Sequence, residues 1–518
     1  PPTGLVLRMR VIKPDGSVLE PEPIAGKPTL TMPHLEVGDY LEIEHVTPTN
    51  GDGEKGKRYR GPQWFFREAD KGYWRSEFVT VTPKDRPLEI ETLGSVAAPK
   101  VKDIGTFIER RWRVDESPPA IEEPDSPRPT EFLPSVRIGW GISLTESLTR
   151  LVDVASDETP LDPRLHKIAL DIVHGVPESD SDERARLLYR HVLAHVEEGK
   201  EGDGRRVITG RAGSRQAGFI HLCRQLKIPV ELALVKNRLA MPPLGKMSEV
   251  ENYDGIVLRL QTNKGVRWLT VHDKFSPFGY VPSELRGQEA FRLVPGTPKE
   301  MTAYAGATDG VTFEGSATLK EDGSAAIELS QSFAGKVGAT MRNVFDKIPE
   351  SQQHDFVEGR LLGRNFPGAR VREVKIENRE SLDLPLIVRM KGDAPQVART
   401  VGGNMSVKSL FPMRIAQLAS LPSRQTPLLL GAASHVEVKF DIVVPESMHL
   451  PTTLPSGEAR DGERVVRVTD TVHGRAVHMD IFVDIPAGRI TPGAEYSKFQ
   501  RFAQEADSLV ERELILGR

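Results

Sequence analysis

The sequence predicts a multidomain α+β protein, in which a helical segment followed by an antiparallel sheet lies between two β-rich regions. Three observations lead to this fold class. The chain has 518 residues, a length that suits two to four domains. Apolar residues alternate with polar ones near both ends of the chain, whereas residues 143–226 repeat them at helical spacing. The high contents of proline (40) and glycine (45) favour many turns.

The composition narrows the class of protein. A hydrophobic content of 38% and a charged content of 27% are typical of a globular chain. The net charge of -4 argues against a general nucleic-acid binder, and no apolar run is long enough to span a bilayer. The single cysteine excludes an internal disulfide, which fits both the cytoplasm and the periplasm. Because the chain opens on Pro1 rather than Met, we expect it to be part of a longer protein.

Residues 1–134 are predicted to form an N-terminal β-sandwich domain that is incomplete. Leu5–Ile12 and the turn at Pro14–Gly16 have the pattern of a hairpin. We expect the nearby aromatic residues to pack in the sandwich core, the alternative being a ligand platform; they are Trp64, Phe65, Phe66, Tyr73 and Trp74. Ser117–Pro134 is rich in proline and acidic residues and predicts an extended linker.

Residues 135–305 are predicted to form a core in which helices precede a sheet. Helical spacing predicts helices at Ser143–Ala155, Pro163–His174 and Ser181–Glu198, the last capped by Ser181. The pattern then changes to period two, which predicts antiparallel strands at Glu231–Val235, Gly255–Leu260 and Val266–Val271. Between these two parts lies the stretch Gly210–Pro229.

The stretch Gly210–Pro229 predicts a glycine turn, a helix and the entry to a strand. Ser214 is placed to cap the helix, because its hydroxyl can accept from the free amides of the first turn. Phe219, Cys223 and Leu226, together with Leu222, form one buried stripe. The start of a helix is a place where a protein can lower the pKa of a nucleophile.

Residues 306–518 are predicted to form a C-terminal β-rich domain. Val311–Leu319 and Ala325–Phe333 read as a hairpin. Two helices, Val337–Lys347 and Ser351–Leu362, interrupt the strands, and an amphipathic helix at Glu495–Leu514 ends the chain. We expect that last helix to pack on its own domain rather than on a membrane.

Three motifs of the central region resemble the transglutaminase-like superfamily of the papain-like clan. They are LCRQLKIP (Leu222–Pro229), YDGIVL (Tyr253–Leu258) and RWLTVHDKFSPFGYVPSELRG (Arg267–Gly287). RVIKPDGSVLEPEPI and LEVGDYLEIEH resemble the first of two β-rich domains of unknown function that flank such a core in bacterial proteins. The resemblance implies a transglutaminase-like fold for the core and a location in the periplasm or cell envelope.

The family's catalytic positions carry other residues here. Active members use a Cys at the helix start, a His on the next strand and an Asp on the strand after it. Alignment without gaps places Ala212 at the Cys position, and a two-residue slip places Ser214 there. The His and Asp positions read Gly255 and Thr270. The resemblance therefore implies the fold, whereas these residues predict a pseudoenzyme without cofactor or metal.

Other reactive residues do not assemble a replacement site. Cys223 lies on the buried stripe, and Ser214 as a nucleophile would lack the expected base. His272 and Asp273 are adjacent and point to opposite sides of a strand. His191 and His195 have the spacing of two metal ligands, but no third ligand is evident.

We therefore expect a non-catalytic protein that binds or scaffolds a protein or peptide in the bacterial cell envelope. Arginines cluster near the start of the central helix and could hold an acidic partner; they are Arg205, Arg206, Arg211 and Arg215. The predicted binding residues are Arg211, Ser214, Arg215, Tyr253 and Asp254. The alternatives are an acyl-transfer enzyme or serine or cysteine peptidase using Ser214 or Cys223, and a rigid spacer with no ligand.

Overall fold

The computed structural model describes residues 5–23, 30–32, 34–47, 56–155, 160–454 and 456–518. The chain divides into two compact units. The smaller unit contains Pro1–Pro62, Asp85–Glu89 and Ile138–Ile142. The larger unit contains Gln63–Lys84, Ile90–Arg137 and Ser143–Arg518. Helices and sheets alternate along the larger unit, so the protein has a mixed α/β, multidomain architecture.

The smaller unit is built from short antiparallel strands. They are β1 (Leu5–Ile12), β2 (Val18–Leu19), β3 (Glu22–Pro23), β4 (Leu30–Thr31), β5 (Tyr40–Val46) and β6 (Tyr59–Arg60). β1 pairs with both β2 and β5. The turn between β1 and β2 is closed by Asp15, whose Oδ1 accepts from Ser17 N at 2.8 Å. The predicted hairpin at this turn is confirmed.

The next strands along the chain belong to two separate sheets. The strands of this region are β7 (Trp64–Phe65), β8 (Tyr73–Pro83), β9 (Glu89–Leu93), β10 (Lys100–Ile104), β11 (Phe107–Ser117) and β12 (Ser135–Trp140). One is an antiparallel sheet of β8, β10 and β11, and the other contains β7, β9 and β12. β11 lies between β10 and β8. Phe66 is fully buried as predicted, but Trp64 and Trp74 are 39% and 77% exposed. The prediction of an aromatic core is therefore wrong for these two tryptophans.

The predicted linker Ser117–Pro134 contains little regular structure, in agreement with its composition. Only a short 3-10 helix, Pro129–Glu131, interrupts it. The segment is nevertheless held against the C-terminal region, because the Glu123 carboxylate accepts from the backbone amides of Gln425 and Thr426 at 2.8 and 2.9 Å. It is extended chain with defined contacts rather than a free spacer.

The helices of the central region agree with the predicted ones, with three corrections. They are α1 (Leu144–Ala155), α2 (Pro163–Ile172), α3 (Ser181–His195), α4 (Gly204–Gly210), α5 (Arg215–Gln225) and α6 (Lys246–Glu249). Asp180, not Ser181, caps α3, since its Oδ1 accepts from Glu183 N at 3.1 Å. The third predicted helix ends at His195 rather than Glu198, because Glu197–Glu198 form a short strand. α4, which Asp203 caps, was not predicted, because a helix of this length is too short to show periodicity.

The central sheet follows the order of the predicted strands. Its strands are β15 (Val230–Val235), β16 (Gly255–Thr262), β17 (Gly265–Leu269), β18 (Glu289–Arg292) and β19 (Lys299–Met301), and β13 (Glu197–Glu198) pairs separately with β14 (Ala212–Gly213). The order across the sheet is β17-β16-β15-β18-β19, with antiparallel neighbours. The α5 stripe packs on one face of this sheet, in a cluster that includes Leu258, Leu260 and Leu269.

The C-terminal region is organised by a sheet of eight strands. The first strands of this region, not all of which belong to that sheet, are β20 (Gly310–Leu319), β21 (Ala325–Ala334), β22 (Arg370–Glu377), β23 (Leu386–Ala394), β24 (Ala398–Val401), β25 (Asn404–Lys408) and β26 (Leu428–Leu430). The remaining strands are β27 (Ser434–Val443), β28 (Ser456–Asp461), β29 (Arg464–His473), β30 (Ala476–Ile485), β31 (Gly488–Ile490) and β32 (Glu513–Leu516). The order is β22-β23-β21-β20-β27-β30-β29-β28, in which only the β20–β27 pair is parallel.

Helices cover the eight-stranded sheet. They are α7 (Gly335–Lys347), α8 (Glu350–Phe356), α9 (Gly363–Asn365) and α10 (Ala494–Val510), with a π-helical turn at Val357–Leu362. α10 buries Phe499, Phe502 and Val510, which confirms that it packs on its own domain. The predicted extension of this helix to Leu514 is wrong, because Leu514 belongs to β32 and pairs with Val407 of β25.

Candidate functional site

The start of α5 is shaped by a glycine and capped by a serine. Gly213 has φ +129°, and a Cβ there would lie 2.7 Å from the carbonyl oxygen of Glu201, so only glycine fits. Ser214 N donates to that same carbonyl at 2.7 Å. The Ser214 hydroxyl accepts from Ala217 N at 3.2 Å. The predicted cap is confirmed, and the hydroxyl is engaged in closing the helix.

Arg215 ties this helix start to two other elements. Its Nε donates to the carbonyl oxygen of Val196, just after α3, at 2.8 Å. Its Nη1 donates to the carbonyl oxygen of His272, just after β17, at 2.5 Å. The His272 ring is exposed, with Nδ1 3.9 Å from Glu198 Oε2. Arg215 was predicted as a binding residue. Its two hydrogen bonds also connect the start of α5 to the residues just after α3 and β17.

Gly255 and Thr270, which the sequence resemblance places at the His and Asp positions, face away from α5. A Cβ at Gly255 would lie 2.5 Å from Leu285 Cδ2, and Leu285 belongs to a cluster with Val235 and Trp268 that contains no α5 residue. Leu269 and Val271, which flank Thr270, belong instead to the α5 cluster. Since side chains alternate along an extended chain, Thr270 points to the face opposite α5.

Cys223 is fully buried in the cluster that joins α5 to the sheet. Burial in this apolar environment raises the pKa of its thiol well above the ordinary value. His221, two residues earlier, is also fully buried, and its Nε2 lies 3.0 Å from Gln225 Nε2. The hydrogen bond described for Ser214 Oγ is thus to a backbone amide, and the ring of His166 is bonded at Nδ1 to the carbonyl oxygen of Gln225 at 2.8 Å.

The other two predicted binding residues lie before β16. Tyr253 is only 8% exposed and packs against Phe291, with ring centroids 4.9 Å apart. Its hydroxyl donates to Glu289 Oε1. Burial is the larger cause, and the hydrogen bond to Glu289 the second, of a raised pKa for the Tyr253 phenol. Asp254 is exposed. Tyr253 is therefore largely part of a packed cluster, and no contact among the described residues links it to the start of α5.

The arginine cluster contains both paired and unpaired cations. Arg205 and Arg206 lie 3.4 and 3.5 Å from Asp203 and Glu201. Arg211 is exposed, adopts φ +55° after α4 and has no carboxylate partner among the described residues. The unpaired positive charge near the start of α5 therefore comes chiefly from Arg211, together with Arg215, whose guanidinium donates to the carbonyl oxygens of Val196 and His272.

The α3 residues next to Arg211 include two histidines whose rings are in contact. The rings of His191 and His195 lie 4.6 Å apart at 54°. Burial, with smaller contributions from His195 and Arg211, lowers the pKa of His191 to about 4. His191 is therefore a neutral ring near neutral pH, which adds no charge to this surface.

A charged cavity that the sequence did not predict lies beside this surface. Its volume is ≈ 390 Å³, and its walls come from α3, the segment after His272, α7 and the loop after β22. The residues lining it are Arg190, Leu193, Ala194, Lys274, Phe275, Arg342, Asp346, Arg379, Glu380 and Leu382. Their cations and anions come from separate parts of the sequence, so only folding brings them together.

Two contacts hold the walls of this cavity. The buried Arg342 donates from Nη2 to the carbonyl oxygens of Asn378 and Leu384 at 2.9 and 2.7 Å. Lys274 Nζ lies 2.9 Å from Asp346 Oδ2. The cavity carries more cationic than anionic side chains. Its Lys274 follows His272 by two residues, and the His272 carbonyl oxygen accepts from Arg215 at the helix start. Together they form a surface suited to an anionic group.

The described ranges lack two further kinds of site. These ranges contain no cluster of three or more His, Cys, Asp or Glu side chains arranged to bind a metal ion. Within them, no helix combines the length and the apolar character needed to cross a bilayer.

Comparisons with known proteins give a likeness of fold. No family model matches the chain, and no curated protein is significantly similar to it. A solved structure from Parabacteroides distasonis ATCC 8503, named as a "putative protease", is similar over 100% of this chain and 89% of its own, with a TM-score of 0.57 and 12% identity. The fold of this chain, over the whole of its 518 residues, is therefore similar to that of the Parabacteroides protein.

Proposed function

We propose that this chain is a non-catalytic protein with a transglutaminase-like core, which binds an acidic segment of a protein or peptide. The observation that carries the proposal is the packing of Leu285 into the space where a side chain at Gly255 would lie. A base at that position could not be accommodated without displacing a buried leucine. The complete burial of Cys223 and the capping role of Ser214 support the same conclusion.

The transglutaminase-like assignment itself is part of the proposal. It is supported by the order of α5 and the antiparallel strands β15, β16 and β17, and by the motifs at Leu222–Pro229 and Arg267–Gly287. The likeness to the Parabacteroides protein concerns the fold alone. A location in the bacterial periplasm or cell envelope rests on the sequence resemblance.

The acidic character of the proposed partner follows from the charges at the helix start. Arg211 is exposed and unpaired among the described residues, and the cavity adds Arg379, whose guanidinium donates to the carbonyl oxygen of Phe345 at 3.0 Å. The other cations of the cavity rim, Arg190 and Lys274, are paired with Asp383 and Asp346. Guanidinium groups form strong paired hydrogen bonds with carboxylates. Because the site is open to solvent, its attraction for an acidic segment will weaken as salt is added.

Peptide binding tests this surface directly. Fluorescein-labelled acidic, neutral and basic peptides of equal length are titrated with the protein and followed by anisotropy. We expect saturable binding of the acidic peptide, weakened about tenfold by Arg211→Glu. The control is Arg501→Glu, a charge reversal at an exposed position of α10, which will leave the affinity unchanged. Equal binding of acidic and basic peptides, or an unchanged affinity in Arg211→Glu, would contradict the proposed surface.

Active-site labelling separates this proposal from the enzymatic alternative. Fluorophosphonate and iodoacetamide probes are applied to the native protein, followed by peptide mapping. We expect no labelling of Ser214 or Cys223 until the protein is denatured. Labelling of the native protein that disappears in Ser214→Ala or Cys223→Ala would show a reactive nucleophile and overturn the non-catalytic function.

A further inference from the structure

A second cavity lies in the N-terminal part of the larger unit. Its volume is ≈ 610 Å³, and its walls come from β7, the turn after it, the start of β8 and the 3-10 helix Pro129–Glu131. This volume is within the range of about 300–1,000 Å³ typical of sites for small molecules. None of its lining residues belongs to the α5 surface or to the charged cavity, so it is an independent site.

One wall of the second cavity is a fixed aromatic plane. The Trp64 ring stacks on Phe78, with centroids 5.5 Å apart and an interplanar angle of 11°. Phe78 in turn stacks on the buried Trp112 at 5.7 Å. The Trp64 indole donates from Nε1 to Ser76 Oγ at 3.1 Å, which sets its rotation. With 39% of its surface exposed, Trp64 presents a rigid indole to the cavity.

The remaining walls carry polar groups of both signs that are held by partners. The Tyr73 hydroxyl donates to Glu68 Oε1. Arg75 Nε donates to Asp115 Oδ1 at 3.1 Å, and Glu77 Oε2 accepts from Arg111 Nη1 at 2.9 Å. These groups retain further donor and acceptor capacity, since each carboxylate and guanidinium can form several hydrogen bonds. They can therefore form oriented hydrogen bonds with a ligand, while the pairing of opposite charges keeps the electrostatic potential of the cavity low.

We propose that this cavity binds a neutral oligosaccharide, with one pyranose ring stacked on Trp64 and its hydroxyl groups bonded to Glu68, Arg75 and Glu77. A pyranose has a face of C–H bonds that suits the electron-rich face of an indole. Its edge carries hydroxyls that both donate and accept, which matches the mixture of carboxylate and guanidinium groups. The lining carries two guanidinium groups, those of Arg67 and Arg75, and three carboxylates, those of Glu68, Asp70 and Glu77. This excess of carboxylates disfavours a phosphorylated ligand, and the charged side chains interrupt the apolar walls that a lipid would need.

The test is a titration of the full chain with defined neutral tetra- to hexasaccharides, including β-1,4-glucans, α-1,4-glucans and chitin oligomers. Binding is measured by calorimetry, and AMP and an aromatic dipeptide serve as comparison ligands. We expect at least one oligosaccharide to bind with a dissociation constant on the order of 0.1–1 mM. We expect Trp64→Ala to weaken binding at least about tenfold and Trp64→Phe, which keeps a ring, to weaken it about threefold.

Two further variants make the outcome decisive. Trp74 is 77% exposed and does not line the cavity, so Trp74→Ala is the matched control and will leave binding unchanged. Arg75→Gln alters a half-exposed lining side chain and will reduce affinity about threefold, even if Trp64→Ala fails to fold. Absence of oligosaccharide binding at about 10 mM, equal losses in Trp64→Ala and Trp74→Ala, or preference for AMP or the dipeptide would overturn the proposal.

Discussion

Leu285 fills the space beside Gly255: a Cβ at residue 255 would lie 2.5 Å from Leu285 Cδ2 and 3.1 Å from the carbonyl oxygen of Val235. Leu285 is itself 5% exposed and packs in the cluster on the sheet face opposite α5. The packing of this cluster therefore depends on a glycine at residue 255. A histidine placed there would enter that cluster instead of approaching the start of α5.

We expect Gly255→Ala to lower the free energy of unfolding by about 1–3 kcal/mol, because the added methyl overpacks the cluster. Urea denaturation measures the change. Combining it with Leu285→Ala will recover part of the loss, since the smaller side chain makes room for the methyl. Gly431→Ala is the control, because no atom lies within 4 Å of a Cβ at that position. Equal effects at residues 255 and 431 would contradict the packing described.

Cys223 is expected to be unreactive in the folded protein. Complete burial raises the pKa of its thiol, so the thiolate that reacts with disulfide reagents is scarce as well as inaccessible. The reaction of the folded protein with DTNB will follow unfolding, accelerating with denaturant. Since the chain contains one cysteine, the signal reports this residue alone. A rapid reaction without denaturant would show that α5 opens in the native state.

Asp182 is expected to stabilise the central region above acidic pH. It is 3% exposed, and it accepts from Arg267 Nη2 at 2.8 Å and from Thr262 Oγ1 at 3.1 Å. Burial alone would raise the pKa of this carboxyl, but the hydrogen bond and charge of Arg267 outweigh burial and lower it. The contribution of Asp182 is therefore present above the unfolded pKa of 3.8 and is lost as pH falls through the folded pKa.

Asp182→Asn tests that contribution. At neutral pH we expect it to lower the free energy of unfolding by about 2–3 kcal/mol, because a charged acceptor of the Arg267 guanidinium becomes a neutral amide. The difference from the unmodified protein will shrink in acid, as measured by urea denaturation across pH. A difference that stays constant down to acidic pH would rule out the charge as its cause.

His191 is expected to make stability depend on pH in mildly acidic solution. Its folded pKa of about 4 lies below the unfolded value of 6.5, so between these values the unfolded chain binds more protons. Stability therefore falls as pH decreases through this window. Allowing for partial exposure to solvent, we expect a loss on the order of 1 kcal/mol.

His191→Gln isolates this effect, since a glutamine cannot titrate. The variant will show a flatter stability profile between about pH 6.5 and 4 than the unmodified protein. The matched variant His174→Gln changes an exposed histidine just after α2 and will leave the profile as it is. Identical profiles for all three proteins would show that His191 is not held in its neutral form.

The sequence could predict the local elements because local periodicity encodes them. The helices at Pro163–Ile172 and Arg215–Gln225, the strand at Val230–Val235 and the Ser214 cap each lie within a residue or two of the predicted position. The errors have two different causes, one local and one tertiary. α4 is too short for a periodic signal, and the chain end turns from α10 into β32 because a distant strand, β25, supplies hydrogen bonds.

The candidate sites were less predictable from the sequence than the helices and strands, because they depend on tertiary contacts. Arg215 was recognised from its place at the helix start, but its bonds to Val196 and His272 join residues that no sequence pattern connects. Tyr253 was predicted to bind a partner, yet packing against Phe291 leaves it largely buried. Neither cavity was predicted, since their walls combine segments far apart in the chain.

The sequence by itself determined where the longer helices and strands lie and that no cysteine stands at the start of α5, because periodicity and residue identity are local properties. Only the tertiary structure decided which sheet face Gly255 and Thr270 share, since a strand's orientation is fixed by what packs against each side. It also decided that Trp64 lines a cavity whereas Phe66 is buried, because burial depends on neighbours contributed by other strands.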